Sequence, residues 1–213
     1  MSQSRIRMLA LLVGLLALPL VASADSVTLT GCASCFGGTF TLSTSLSSST
    51  ATTQTYAVTL TISGLAANAN GLPGTVTAIR SVDFKISSGV STFSLTGAPG
   101  GVGSWTTTQS GVTNNGCTSP GAGFVCSIDP TPITAALLTQ SNTWTWSVTI
   151  PNGTYFTGLI GAHIGAQISD ANGPPPNGLI VSESVPAVPE PGTLALFGTG
   201  LVGLAGIVRR RLS

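Results

Sequence analysis

The sequence predicts a mainly β protein whose body is a single antiparallel β-sandwich or jelly-roll-like domain, with an N-terminal signal-peptide helix and a C-terminal transmembrane helix. Apolar and polar residues alternate with a period of two through most of residues 25–183, as in half-buried strands. Segments rich in Gly, Pro and Asn separate these runs at short intervals, which is typical of sandwich turns. Both chain ends instead carry continuous apolar runs flanked by arginines.

The amino-acid composition limits the function classes. The chain has 213 residues and a formal net charge of +1, and only 6% of the residues are Asp, Glu, Lys or Arg, against about 25% in an average protein. Ser and Thr supply 56 residues. The absence of a basic patch outside the ends excludes a nucleic-acid partner. Because titratable groups are scarce, we also expect that the protein is not an enzyme and has no cofactor.

The N-terminus resembles a secretory signal peptide. Two arginines precede an apolar run over residues 8–18, and the small residues Ala22 and Ala24 then mark a cleavage site. The run is short for a membrane span, which needs about 20 residues. We therefore expect residues 1–24 to be removed, which would leave Asp25 as the new N-terminus.

The body, residues 25–183, divides into short strands, and residues 184–188 form an extended linker after it. One helical turn or two is expected only at Thr134–Thr139, after a Pro-rich segment. The strongest alternation covers residues 56–62, 82–86, 144–150 and 162–168, and further strands are expected at 26–30, 37–46, 74–80, 91–96, 102–109, 122–128 and 178–184.

Four cysteines in an exported body predict disulfide bonds. Cys117 and Cys126 flank a Gly- and Pro-rich hairpin loop, and we favour that pair. Cys32 and Cys35 would then bridge each other or stay reduced. A redox CxxC motif needs a helix N-terminus, and a four-thiolate zinc site needs a second close pair. Neither is present in the sequence, so no metal site is expected.

The titratable residues do not form a recognisable catalytic motif. His163 is the single histidine and lies on the polar face of its strand, but no Gly-x-Ser-x-Gly motif supports a Ser–His–acid triad. We therefore expect a surface or edge-strand histidine. The acids Asp83, Asp129, Asp170 and Glu183 are dispersed, whereas glycoside hydrolysis needs two facing carboxylates and a calcium site needs several.

Aromatic and hydroxyl residues offer two weaker binding signals. Trp144 and Trp146 share a strand face and would stack on sugar rings if exposed, but their row continues into Val148 and Ile150, which indicates the core. Thr-x-Thr pairs recur without a fixed period, so we expect solvent-facing strand threonines and not the ordered-water template of a solenoid. These pairs are Thr28/Thr30, Thr39/Thr41, Thr59/Thr61, Thr75/Thr77 and Thr143/Thr145.

The C-terminus carries three features in order. Pro189, Glu190 and Pro191 form a stub that cannot be helical. Residues 192–208 are uncharged and would span about 25 Å as a helix. Arg209, Arg210 and Arg211 follow, and such a cluster stays on the cytoplasmic side of a membrane, which places the body outside it.

This order of tripeptide, apolar helix and arginine cluster resembles a PEP-CTERM sorting signal over residues 188–213. The resemblance implies a transient anchor in the inner membrane, and processing near the tripeptide by exosortase, a membrane cysteine transpeptidase of Gram-negative bacteria. The body would then reach the cell surface or the exopolysaccharide matrix, where we expect a structural or adhesive role, with exopolysaccharide as a possible partner in a biofilm matrix. The alternative is a carbohydrate- or ice-binding module, and a secreted hydrolase ranks last.

Overall fold

A computed structural model of the protein describes residues 24–67, 70–129, 136–170 and 179–186. In these residues the chain forms two five-stranded antiparallel sheets and a separate two-stranded hairpin. Sheet A has the strand order β1-β2-β3-β10-β5, and sheet B has the order β12-β11-β4-β9-β6. The strands are β1 (Ala24–Leu29), β2 (Thr39–Ser49), β3 (Thr53–Ser63), β4 (Ala78–Lys85), β5 (Thr92–Gly97), β6 (Thr106–Thr108), β7 (Gly111–Thr113), β8 (Gly116–Ser119), β9 (Phe124–Ile128), β10 (Asn142–Pro151), β11 (His163–Ser169) and β12 (Leu179–Ser184).

The two sheets pack face to face around one apolar core, which is the arrangement of a β-sandwich. The ring of Phe84 in sheet B lies 4.7 Å from that of Trp146 in sheet A. The Trp146 indole Nε1 also donates a 2.9 Å hydrogen bond to the Ser127 hydroxyl of sheet B. Trp144 packs edge-on against Trp105 at 5.3 Å. The core position expected for Trp144 and Trp146 is therefore confirmed, since both are almost fully buried.

The alternation of residue types explains the long central strands. In β10, every second side chain from Asn142 to Ile150 is buried, and the threonines and serine between them point away from the core. β3 shows the same alternation where it pairs with β10 along its whole length. Because β-branched threonine fits the pleated backbone, these strands keep a strand-forming side chain on their outer face as well.

The β7–β8 hairpin was not predicted as strands. It covers the outer face of sheet B. As a result, polar residues of β4 and β11 that point to this face, such as Ser81 and Gln167, are fully buried. The Gln167 side-chain amide donates a 2.6 Å hydrogen bond to the Asn114 carbonyl at the tip of the hairpin. Sheet A has no comparable cover among the described residues, so the two outer faces of the sandwich differ.

The mainly β, antiparallel prediction is confirmed, and the residues of the two predicted terminal helices fall outside the described part of the chain. In the described part of the chain, no helix is long and apolar enough to cross a membrane. The expected helical turn at Thr134–Thr139 is wrong for residues 136–139, because Leu137 forms a β-bridge with Ala78 and a turn follows. The two strands expected at 74–80 and 82–86 are one strand, β4, which starts at Ala78.

The start of the linker also differs from the expectation. Ser184 is the last residue of β12, and Val185 is 4% exposed. The Val185 N–H donates to the Ala162 carbonyl at 2.8 Å, and its carbonyl accepts a 3.2 Å hydrogen bond from Gly161 N–H. Residues 184 and 185 therefore belong to the folded body, and the expected linker can begin no earlier than Pro186.

Candidate functional site

The outer face of sheet A is covered almost entirely by Ser and Thr side chains, and we call it the hydroxyl face. Four rows of hydroxyl residues cross neighbouring strands in register. The rows are Thr28–Thr41–Thr61–Thr143, Ser26–Ser43–Thr59–Thr145–Thr96, Ser45–Ser147–Ser94 (with Ala57 between the first two) and Ser48–Thr55–Thr149–Thr92.

Direct hydrogen bonds join several of these side chains across strands. The threonine hydroxyls meet at distances of 2.9 to 3.1 Å in four pairs. Strand spacing places neighbours in a row about 4.8 Å apart, and successive rows about 7 Å apart along the strands. The four pairs are Thr28–Thr41, Thr55–Thr149, Thr61–Thr143 and Thr96–Thr145.

The hydroxyl face is chemically uniform. Each hydroxyl donates one hydrogen bond and accepts up to two, so the paired threonines keep acceptor capacity that points to solvent. The γ-methyl group of each threonine adds apolar contact area to the face. No Asp, Glu, Lys or Arg belongs to the rows. Such a face suits a neutral partner that is itself rich in hydroxyl groups.

The covered face of sheet B contains a buried carboxyl group, Asp83. Asp83 is 1% exposed. Oδ2 accepts a 2.6 Å hydrogen bond from the Val112 N–H of the hairpin. Oδ1 is buried without a hydrogen-bond partner among the described residues. The carboxyl lies directly over Gly165 of β11, where an added Cβ would overlap it. Burial raises the pKa of Asp83 to about 7, and the hydrogen bond from Val112 opposes that rise.

His163 lies beside Asp83 but does not complete a catalytic relay. Its Nε2 is 3.9 Å from Asp83 Oδ1 and 3.5 Å from the Ser182 hydroxyl. A Ser–His–acid triad needs the hydroxyl on one ring nitrogen and the carboxylate on the other. Here both approach the same nitrogen. Burial and the neighbouring charge of Lys85 lower the pKa of His163, while Glu183 opposes the shift.

The position of His163 is more enclosed than expected. β11 lies between β12 and β4, so it is not an edge strand, and the imidazole is 18% exposed. The Phe124 ring stands edge-on to it at 5.1 Å, and the Lys85 ammonium lies 5.1 Å from the centre of that same ring. The side chain does project from the face opposite the apolar row, as predicted.

The remaining sequence-derived candidates belong to different strands or strand ends. Asp129 follows β9, Asp170 follows β11, and Glu183 accepts a hydrogen bond from the Ser34 hydroxyl at 2.5 Å. The described residues contain no cluster of three His, Cys, Asp or Glu side chains that could hold a metal ion.

The cysteines lie at disulfide distance in two pairs, Cys32 with Cys35 and Cys117 with Cys126. Cys117 is in β8 and Cys126 is in β9, so the second bond attaches the hairpin to the sheet that it covers. Asp83 is the cross-strand neighbour of Cys126 in β4. Cys35 is fully buried in the turn between β1 and β2.

Comparison with known proteins identifies the tail. Residues 187–211 match the PEP-CTERM protein-sorting motif. The resemblance inferred from the tripeptide, apolar run and arginine cluster is therefore confirmed. No curated protein and no solved structure gives a significant match to the chain. The motif implies an exported protein that exosortase, a membrane enzyme, processes after transient membrane anchoring.

The processing residues themselves fall outside the described part of the chain. These residues are Pro189, Glu190, Pro191, Arg209, Arg210 and Arg211 of the sorting signal and Ala22 of the signal-peptide cleavage site. Ala24 is the first described residue and begins β1, where it pairs with Ser45. The roles of Ala22, Ala24 and the tail residues in processing stay predictions.

The solvent-facing strand threonines were expected from the sequence, but their alignment into rows and the covered Asp83 were not. The rows depend on β10 pairing with both β3 and β5, which are distant from it in sequence, so no repeat along the chain reveals them. The Asp83 position left one signal: an isolated glycine, Gly165, inside the alternating run of β11. A glycine in a strand often marks a close approach by another group.

Proposed function

We propose that the protein is a structural or adhesive component of the cell surface or the extracellular matrix, and that it acts without catalysis. The match of residues 187–211 to the PEP-CTERM motif carries this proposal, because the motif implies export and surface sorting. The exported body would be delivered by its tail and held among exopolysaccharide by many weak contacts, with no cofactor.

The surface chemistry of the body supports a matrix role. Polysaccharides present dense hydroxyl groups, and the hydroxyl face can exchange hydrogen bonds with them in both directions. A face without charge also avoids a large desolvation penalty on contact, since burying unpaired ions is costly. Weak contacts repeated over a broad face suit a scaffold better than a single deep pocket would.

The geometry around His163 argues against the hydrolase alternative. The nucleophile candidate Ser182 and the carboxyl of Asp83 both approach Nε2, so the imidazole cannot take a proton at one nitrogen while the acid orients the other. A screen of esterase and glycosidase substrates tests this directly. We expect no turnover with the intact protein; activity lost in His163→Ala would contradict the proposal.

Truncation after Val188 tests the sorting step. We expect the shortened protein to fold, because the described core lies entirely before this point, and to appear in the culture medium as a soluble species. Cell fractionation with a protease-accessibility assay would measure this. Surface retention of the truncated protein equal to that of the full chain would show that the tail does not direct sorting.

The hydroxyl face favours a second candidate, a carbohydrate- or ice-binding module. A glycan array together with an ice-recrystallisation assay separates this from the scaffold role, because a module should show saturable, selective binding. The test variant is Thr59→Val with Thr61→Val, which removes two hydroxyls and keeps the shape. The matched control is Thr106→Val on the edge strand of sheet B. Selective binding that falls in the double variant and persists in the control would favour the module.

A further inference from the structure

Both ends of the body leave the sandwich at the same place. The chain enters at the start of β1, and the carboxylate of Asp25 is held there by two donors. The Tyr155 hydroxyl donates to Asp25 Oδ2 at 2.7 Å, and the Gly158 N–H donates to the same atom at 3.1 Å. Both donors belong to the turn 152–162, which joins β10 to β11.

The same turn holds the C-terminal end of the body. Val185 bonds to Ala162 and Gly161 through its N–H and its carbonyl. Gly158 and Gly161 are three residues apart, so at most about 11 Å of chain separates the two anchoring points. The predicted cleavage site of the signal peptide and the start of the tail are therefore neighbours on one surface. We call this surface the terminal end; it consists of Asp25, Pro186 and the turn 152–162.

The chain lengths on either side of the body are also matched. The apolar run of the signal peptide ends at residue 18, and the apolar run of the tail begins at residue 192. Residues 19–24 and 186–191 can each reach about 20 Å when extended. The apolar run of the signal peptide, before its removal, and that of the tail are therefore both within reach of the terminal end.

Charge does not separate the terminal end from the opposite end of the sandwich. Asp129 and Asp170 follow the far ends of β9 and β11, where the Arg80 carbonyl of β4 accepts a hydrogen bond from Asp129 N–H. Asp25 and Glu183 lie at the terminal end, where Lys85 is the cross-strand neighbour of His163. Both ends expose one large apolar side chain, Ile160 at the terminal end (47% exposed) and Val102 at the other (44%), so apolar exposure does not distinguish them. The exit of both chain ends is therefore what distinguishes the terminal end.

We propose that the terminal end is the surface of the body that faces the membrane while the tail anchors the chain. The inference rests on the proposed membrane attachment through the tail. It adds which surface of the body meets the lipid: the turn 152–162 and not the opposite end, where Asp129 and Asp170 lie.

The test places one fluorescent label at either end of the full chain. Ile160→Cys and Val102→Cys are matched, because both replace exposed apolar side chains and the native cysteines are paired. Each labelled protein is reconstituted into vesicles of phosphatidylethanolamine and phosphatidylglycerol that contain a nitroxide-labelled lipid. We expect quenching several-fold stronger for the label at position 160 than for the label at position 102.

Flotation of the vesicles in a density gradient tests the membrane attachment separately from the orientation of the body. Co-flotation with equal quenching at both positions, or stronger quenching at position 102, would overturn the orientation and leave the attachment intact. Failure of the full chain to float with the vesicles would overturn the attachment and the orientation together. Labelled protein truncated after Val188 provides the baseline, since it should neither float nor be quenched.

Discussion

Asp83 should make the stability of the body fall as the pH rises. Its pKa in an unfolded chain is 3.8, and burial raises the pKa in the folded protein to about 7. Between these values the folded state retains a proton that the unfolded state has lost, so stability is fully present below about pH 4 and declines up to about pH 7. The shift of about 3 units corresponds to about 4 kcal/mol of unfolding free energy.

The assay compares the wild-type body with Asp83→Asn by urea unfolding at a series of pH values. The fluorescence of the three tryptophans reports unfolding, since Trp105, Trp144 and Trp146 are all buried. The amide keeps the shape of the protonated carboxyl and can still accept the hydrogen bond from Val112. We expect similar stabilities near pH 4 and an Asn variant that is more stable by up to about 4 kcal/mol at pH 8.

His163 titrates in part of the same range with the opposite sign, because its pKa is lowered on folding. Stability from this group is present above its unfolded value of 6.5 and is lost as the pH falls through its lower folded value. Both proteins contain His163, so the part of its contribution that does not depend on the charge of Asp83, 3.9 Å away, cancels in the difference between them. Parallel stability curves for wild type and Asp83→Asn would refute the assignment of a buried, protonated Asp83.

Two further predictions concern the cover over Asp83. Replacing both Cys117 and Cys126 with Ser should lower the unfolding free energy by about 2–3 kcal/mol from the lost loop constraint alone; differential scanning calorimetry would measure this, and an unchanged Tm would contradict a role for the bond. Gly165→Ala should cost about 1–3 kcal/mol in chemical denaturation because its Cβ overlaps the Asp83 carboxyl. Gly89→Ala is its control, since nothing lies near that position; equal losses in both would argue against the overlap.

The strands with regular alternation were predictable because the alternating pattern lies within each strand and needs no knowledge of its partners. β10 and β3 show strict alternation, and their apolar sides identify the core without knowledge of their neighbours. Trp144 and Trp146 could be placed in the core on the same grounds. The boundaries near Val185 were less accessible, because whether a residue ends a domain depends on its partners, here Gly161 and Ala162.

Features that depend on contacts between distant segments were not predictable in this way. The strands β7 and β8 are only three and four residues long, too short for a recognisable period. Asp83 resembles any outward polar residue of a strand until the hairpin is placed above it. The rows of the hydroxyl face depend on strand order, which places residues 61 and 143 side by side.

The disulfide bond that attaches the hairpin to β9 depends on the compartment in which the protein folds. The hydrogen bond to the Asp83 carboxyl comes from Val112 of this hairpin, and the covalent bond that holds the hairpin down is between Cys117 and Cys126. Thiols stay reduced in the cytoplasm and are oxidised after export. A chain that has not crossed the membrane therefore lacks the covalent closure over its buried acid, which can form only after export.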